Sequence, residues 1–298
     1  MTRFLLPALL AALVVTTAGA QQLAPGAPAQ PGRTYTVAPN LHVAVMEERN
    51  STVLVGEEGL LVVETNYVQR AEALRDLIAT ISPKPVRLAV NSHWHGDHVG
   101  GNALLARSGA VTLAHENTRR RMSMRVVNPQ TGNVQQEAWA PEFLPMLTFR
   151  DGLKLHFGGQ DIELTHYPDG HTDSDVVVRF VNADVIYVGG LLNYPMYAGV
   201  RSPDAFIAAL DRVLAQSGAT TKIIPWRGPL IGKGELQEWR ELLATVRNRV
   251  ATLMREGKTV DEIVAARPTA EFDAKWGGAR APAAFVREIH AALSGTLN

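Results

Sequence analysis

The stretch "NSHWHGDHVGG", residues 91–101, places three of the chain's nine histidines and one aspartate within six positions. It follows "VRLAV", an apolar run whose length and branched side chains read as a buried strand. In extended backbone, residues two apart face the same way, so His93 and His95 reach one point together. A turn at Gly96 then brings Asp97 and His98 beside them, and Gly100 with Gly101 permits a tight turn into the next helix. Neutral imidazole and carboxylate are good zinc ligands, and catalytic zinc takes three protein ligands with one position left open. Four ligand-type residues where a strand ends point to a metal site rather than a polar surface loop. The chain contains no cysteine, which excludes thiolate ligation and disulfides.

The rest of the chain supplies a sheet-rich frame for that loop. From Tyr35 the runs "TYTVA", "LHVAVM", "STVLVG" and "GLLVVET" read as strands separated by turns. Ala71, Leu74, Leu77, Ile78 and Ile81 recur at helical spacing, closed by Pro83 and Pro85. A short helix over about 101–107, the strand "AVTLA" and a basic helix around 116–125 follow the histidine loop. Residues 126–146 read as a long surface loop beside the site. "LKLHF", "DIELTHY", "DVVVRF" and "DVIYVGG" form a second set of strands, and "TKIIP" a later one. Helices start at Ser202-Pro203, run from Leu236 to a stop at Gly257, and end the chain around Phe285–Leu293. Two similar rounds of strands and helices suggest sheet packed on sheet with helices outside, in one domain.

The N-terminus reads differently. Arg3, the apolar "FLLPALLAALVV" and the small-residue "AGA" have the layout of a secretory signal peptide over 1–20. Residues 21–34 are Pro-, Gly-, Ala- and Gln-rich and read as a disordered leader, with the folded domain over 35–298. The expected location is therefore periplasmic or secreted, with no stable membrane insertion after cleavage. Basic and acidic side chains balance at 29 each, so no positive field is available to collect nucleic acid. The expected partner is a small-molecule substrate, and nothing in the sequence points to a protein partner.

The H-x-H-x-D-H order after a strand, followed by "VGGN", resembles the metallo-β-lactamase superfamily, which includes glyoxalase II and many exported hydrolases. "NSTVLVGEEGLLVVET" resembles that family's opening strands and "HYPDGHTDSDVVVRF" its G-H-T segment. "VIYVGGLL" takes the place of its G-D segment and "IIPWRGPL" that of its final G-H-G segment. The resemblance implies an α+β fold, a four-layer αββα sandwich in a single domain, with the site at one edge between the sheets. It makes His93, His95 and His171 the ligands of a first zinc, and Asp97 and His98 two ligands of a second. Two positions depart from the pattern. Gly190 stands where a bridging Asp or Cys is common, and Arg227 where a last His is expected. Glycine has no ligand and a guanidinium cannot become one. A dication about 4 Å from that arginine would meet repulsion of about 8 kcal/mol at an effective dielectric of about 20. One zinc per chain is expected, with Arg227 a fixed cation that pairs with Asp97 or binds an anionic substrate group.

The function implied is zinc-dependent hydrolysis of an ester, lactone, thioester or amide, a β-lactam included, by hydroxide generated on the metal. Asp97 would orient the water and take its proton, and Arg227 would hold a carboxylate or the developing oxyanion. Asn193, Tyr194 and Tyr197 follow Gly190 and are candidate pocket residues; Asn193 and Tyr194 are the two expected to touch substrate. His115 and Glu116 read either as support for the site or as a helix-start pair. His42, His156, His166 and His290 read as structural, and Arg119–Arg121 as a solvated helix face. Two other readings are a non-catalytic metal- or ligand-binding member with a degenerate second site, and a mononuclear iron oxygenase. The oxygenase type uses an Asp at the position of Gly190, which weighs against it.

Overall fold

The computed structural model of the chain describes residues 21–22, 30–127, 133–278 and 280–296. The N-terminal half builds one sheet from β1 (Gln21–Gln22), β2 (Arg33–Ala38), β3 (Leu41–Met46), β4 (Arg49–Val55), β5 (Leu60–Val63), β6 (Val86–Val90) and β7 (Val111–His115), side by side in that order. A separate small hairpin pairs β8 (Val126–Val127) with β9 (Val134–Gln136), and β10 (Leu147–Phe149) closes the far edge of the sheet beside β7. Strands β2 to β5 are antiparallel. β5, β6 and β7 are parallel, which requires crossovers. Those are α1 (Ala71–Ala79), then the single turn α2 (Gly96–Val99) with α3 (Asn102–Arg107). β5 is "LLVV", buried at all four positions, as suits a parallel strand covered on both faces.

After α4 (Glu116–Met122), the second sheet runs β11 (Gly152–Phe157), β12 (Gln160–His166), β13 (Val176–Phe180), β14 (Val185–Tyr187) and β15 (Lys222–Ile224). Its first four strands are antiparallel. α5 (Pro203–Gln216) carries the chain across to β15, which is parallel to β14. The Ser202 side chain caps α5 and Pro203 fills its first turn, as the sequence signalled. α6 (Lys233–Arg255), α7 (Val260–Ala265), α8 (Asp273–Trp276) and α9 (Pro282–Leu293) complete the chain.

The layers follow from which faces are apolar. Val43, Leu54, Val63 and Leu113 of the first sheet meet Ile162, Leu164, Val178 and Tyr187 of the second in one core. Leu74 and Ile78 of α1 cover the outer face of the first sheet against Ala44, Val53 and Val62. Phe206 of α5, Trp239 and Val246 of α6, and Phe285 and Ile289 of α9 cover the second against Ile186 and Ile223. The expected αββα sandwich is the observed one.

Several boundaries differ from the sequence reading. The stretch 126–146, read as a loop, contains the β8–β9 hairpin. The leader is not wholly without structure: Gln21 and Gln22 pair with Tyr35 and Thr36, and β2 starts at Arg33. α7 was missed despite a full capping box, in which Thr259 Oγ1 accepts from Glu262 N and Glu262 Oε2 from Thr259 N. The segment expected to be a signal peptide lies outside the described residues. Among the described residues, no helix is long and apolar enough to cross a membrane.

Candidate metal centre

Strand β6 ends at Val90, and the chain turns back over its own end through a polar knot. Asn91 Nδ2 donates to the His98 carbonyl at 2.9 Å, and Asn102 Nδ2 donates to Asn91 Oδ1 at 2.8 Å. Gly101 N donates to Thr65 Oγ1 at 3.1 Å, and a Cβ on Gly101 would run into the Thr65 carbonyl. These bonds fix the loop 91–98 as a rigid platform. The second platform is the loop between β12 and β13. The buried Asp175 accepts from His171 N at 2.7 Å and Thr172 N at 2.9 Å through Oδ2, and from Thr172 Oγ1 at 2.5 Å through Oδ1. α4 fastens this loop from outside, with Arg121 Nη2 2.8 Å from Asp173 Oδ2 and Asn117 Nδ2 2.7 Å from the Asp173 carbonyl. Arg121 is therefore not merely a solvated face.

The two platforms bring His93, His95 and His171 together, with one ligand nitrogen from each within 4.8 Å of the others. His95 Nδ1 lies 3.0 Å from His93 Nε2 and 3.1 Å from His171 Nε2. A tetrahedral zinc with bonds of 2.0–2.1 Å would hold its nitrogens roughly 3.3 Å apart. The outward nitrogens of two rings are already occupied. His93 Nδ1 lies 3.0 Å from Ser92 Oγ, and His171 Nδ1 lies 2.8 Å from the Gly199 carbonyl, which can only accept. Burial, then the neighbouring imidazoles, holds His93 far below the ordinary histidine range and pushes His95 down to about 3. Three imidazoles with one nitrogen each turned to a common point are the donor set that zinc takes, so the residues present fit the metal.

Asp97 and His98 stand beside that cluster but are not part of it. His98 is almost fully buried between the His93 ring, 3.8 Å away, and the Trp226 ring at 4.0 Å. Its Nδ1 lies 3.0 Å from Oε2 of the fully buried Glu64, and its Nε2 faces Asp97 Oδ1 at 3.8 Å. Burial opposes a charge on His98, yet Glu64 and Asp97 outweigh it and raise its pKa. Asp97 Oδ2 accepts from Trp226 Nε1 at 3.2 Å and lies 3.7 Å from Arg49 Nε. Burial opposes the charge on Asp97 too, but the neighbouring His98 and His95 hold its carboxyl below the usual range.

The expected pairing of Arg227 with Asp97 is corrected here. The guanidinium within ion-pair reach of Asp97 is that of Arg49, whose side chain is 11% exposed. Backbone pairing sets Arg49, the first residue of β4, directly opposite Arg227. Among the described residues Arg227 makes no side-chain hydrogen bond or ion pair. Burial and then the Arg49 charge lower its pKa, more than Asp97 raises it. The Gly190 departure also has a steric side. A Cβ there would overlap the His171 ring and lie 3.0 Å from His93 Cε1, so any side chain at this position would have to displace the His171 ring.

A cavity of about 250 Å³ opens over His95, Asp97 and His171, walled by Asn193, Arg227 and Arg280. Asn193 Oδ1 is buried without a partner. Tyr194 lines an adjoining cavity of about 210 Å³ instead, with Pro195, Pro229 and the shared Arg227. Tyr197 reaches the main cavity but spends its hydroxyl on Asp273 Oδ1 at 2.9 Å. His115 takes the helix-start role, accepting from Asn117 N at 3.2 Å, and stacks on His166 at 3.6 Å; Glu116 pairs with Arg150 at the surface. Sequence reasoning missed Arg49, Glu64, Trp226 and Arg280. Only Glu64 had a signal, a carboxylate closing the apolar run "LLVV".

Known proteins resemble the chain to differing extents. The chain is 25% identical to a linear primary-alkylsulfatase of Pseudomonas sp. (strain ATCC 19151) over 70% of its own length and 47% of the relative's. It is 25% identical to an (R)-specific secondary-alkylsulfatase of Pseudomonas sp. over 88% of this chain and 46% of that protein. It is 23% identical to the type 2 metallo-beta-lactamase of Bacteroides fragilis, over 52% and 58% of the respective chains. The chain thus spans about half the length of these curated relatives. Among solved structures, a stereoselective inverting sec-alkylsulfatase from Pseudomonas sp. superposes with a TM-score of 0.66 at 20% identity, over 87% of this chain and 49% of that one. A metallo-beta-lactamase from Pontibacter korlensis gives 0.56 at 21% identity, over 68% and 94%. Both likenesses are of fold. The family model of the metallo-beta-lactamase superfamily matches residues 46–211, more than half of the chain, and the chain belongs to that superfamily.

Proposed function

We propose that the chain is a metal-dependent hydrolase that holds one zinc on His93, His95 and His171 and acts on a small molecule bearing an anionic group. The observation that carries this reading is the convergence of one nitrogen from each of three imidazoles, two of them anchored at their other nitrogen, beside a cavity. When bound, the metal supplies Lewis acidity and makes water a stronger acid at neutral pH. Asp97 is the base. Its Oδ2 is engaged by Trp226 and Arg49, whereas Oδ1 lies 3.8 Å from His98 Nε2, beyond hydrogen-bond reach, so Oδ1 is the oxygen available to orient the attacking water and take its proton. Arg227, a half-buried cation without a carboxylate partner, binds the anionic group or the charge that develops on the reacting oxygen. Asn193 Oδ1 offers an acceptor to the bound molecule. A second zinc is disfavoured, because Gly190 leaves no space for a ligand and two arginines flank Asp97 and His98. The same lack of space argues against an oxygenase that would need a carboxylate at Gly190.

The bond cleaved is that of an ester, lactone, thioester or amide. A sulfate ester is a second reading, favoured by the unpaired Arg227 and by the alkylsulfatases among the relatives. The test is elemental analysis of the purified protein, followed by a panel of carboxylic esters, thioesters, lactones, β-lactams and alkyl sulfates with the zinc-loaded and chelated forms. About one zinc per chain, turnover of at least one class, and its loss and recovery on chelation and zinc addition are expected. Turnover unchanged after verified metal removal would overturn the mechanism. A zinc-loaded protein inert to the whole panel would favour a binding role instead.

A further inference from the structure

We infer that Glu288 and Arg280, from the C-terminal end of the chain, are positioning residues for the ligand His171, acting through the carbonyl of Gly199. This rests on the reading of His93, His95 and His171 as a metal centre. Both residues lie beyond the segment 46–211 that matches the family.

The chain of contacts starts at the His171 ring. Its Nδ1 lies 2.8 Å from the Gly199 carbonyl oxygen, so Nδ1 carries the proton and Nε2 is left as the bare nitrogen facing His93 and His95. Where that carbonyl points is decided by one peptide plane, because the C=O of Gly199 and the N–H of Val200 belong to the same rigid unit. Val200 N donates to Glu288 Oε2 at 2.9 Å. Glu288 thus pins the plane whose other end receives His171. The preceding plane is pinned as well, since Arg280 Nη1 donates to the Ala198 carbonyl at 2.7 Å. Arg280 Nη2 then closes the circuit on Glu288 Oε2, also at 2.7 Å.

The pins matter because the residue between the two planes is a glycine packed on the ligand. A Cβ on Gly199 would lie 3.0 Å from His171 Cε1 and 3.1 Å from its Nδ1, so a side chain there would press on the ligand ring, and the glycine leaves the backbone free to turn. Orientation must come from outside the loop. α9 can supply it because it is itself anchored, with Phe285, Val286 and Ile289 buried and the Phe285 ring stacked on Tyr197 at 4.4 Å. Groups that orient a ligand imidazole change metal affinity by about 10–100-fold when they are lost.

Loss of an ordinary stabilising ion pair would lower the melting temperature of the metal-free protein and leave the zinc site alone. The test therefore uses the full chain and reads three quantities: the zinc dissociation constant by competition with a chromophoric chelator, the visible spectrum of the cobalt(II)-loaded form, and the metal-free melting temperature. Glu288→Ala should weaken zinc by about 10-fold or more and alter the cobalt spectrum. Glu288→Gln, whose amide oxygen can still accept from Val200 N, should recover most of both. Wild-type zinc affinity and spectrum in Glu288→Ala would overturn the inference, as would a loss of affinity no larger than the lost fraction of folded metal-free protein. If Glu288→Ala does not fold, Arg280→Leu carries the test, and wild-type affinity there overturns it equally. A wild-type protein that binds no zinc would instead remove the metal-centre reading itself.

Discussion

Two histidines of the same loop, with ring centroids 3.8 Å apart, meet opposite fates. His93 is buried among imidazoles and held far below the ordinary range, whereas His98 is equally buried and raised. Burial acts against the charged form in both. The difference lies in carboxylates: His98 has Glu64 on one nitrogen and Asp97 facing the other, and His93 has neither. One side of the site is thus a set of neutral donors aimed at a point, and the other a closed exchange of charge among Glu64, His98, Asp97 and Arg49. Metal preference is written in which imidazoles are left without a carboxylate, not in how many imidazoles the loop carries. The asymmetry also explains why a loop with ligands for two metals is read here as a site for one.

The hardest test of that division is at Gly190. Gly190→Ala places a methyl group into the His171 ring, and either the ring or the strand end after β14 must move. The expected result is loss of at least two orders of magnitude in zinc affinity, with a folding cost of about 1–3 kcal/mol for the overpacking. Gly190→Asp should behave the same way, although it restores the carboxylate usual at that position. Zinc content after dialysis and the melting temperature of both forms check this. A Gly190→Asp protein that gained a second tightly held zinc would break the comparison, because the position would then be open.

A smaller effect is expected on the charged side. Arg227→His adds a neutral imidazole and removes a cation, so zinc occupancy at high zinc concentration should rise above one. It should stop well short of two, because Arg49 still holds Asp97 and Gly190 still offers nothing. Combining it with Arg49→Met should raise occupancy further, and Arg227→Ala alone should raise it least. Elemental analysis across a zinc titration gives the order. Two zincs tightly bound by the wild-type chain would show that the arginines do not exclude the second metal.

The sequence carried the donor side almost completely and the charged side poorly. The meeting of His93, His95 and His171 was legible because short-range spacing and the order of segments constrain which residues share one edge of the sheets. The layers were legible because strand and helix periodicities are local. Arg49 was not, since its approach to Asp97 joins the start of β4 to the turn after β6, 48 residues further along the chain. Arg280 and Glu288 act on backbone carbonyl and amide groups, which leave no residue-type signal in either partner. Gly190 was read as a missing ligand, which is a statement about chemistry. That it is also a required space emerges only when the His171 ring is set against it.

The smallest prediction concerns His115, an imidazole spent on packing. His115 stacks on His166 at 3.6 Å, and His115 Nδ1 caps α4, the helix that fastens the His171 loop through Asp173. Burial, then the His166 ring, lowers His115 to about 4 from an ordinary value of 6.5. The unfolded chain therefore takes up a proton near pH 6.5 that the folded protein refuses until about pH 4. The stabilising effect of the neutral ring is complete above pH 6.5 and fades as pH falls through that window. Its size is on the order of 1–2 kcal/mol once solvent near the ring is allowed for. Metal-free protein keeps zinc release out of the measurement, and the comparison with His115→Asn, which retains a capping oxygen, isolates this ring from the other histidines. The wild-type advantage in denaturant unfolding should be larger at pH 7.5 than at pH 5 by that amount. An advantage independent of pH would mean that the ring stays neutral in both states, or charged in both, and that its stacking on His166 does not oppose protonation.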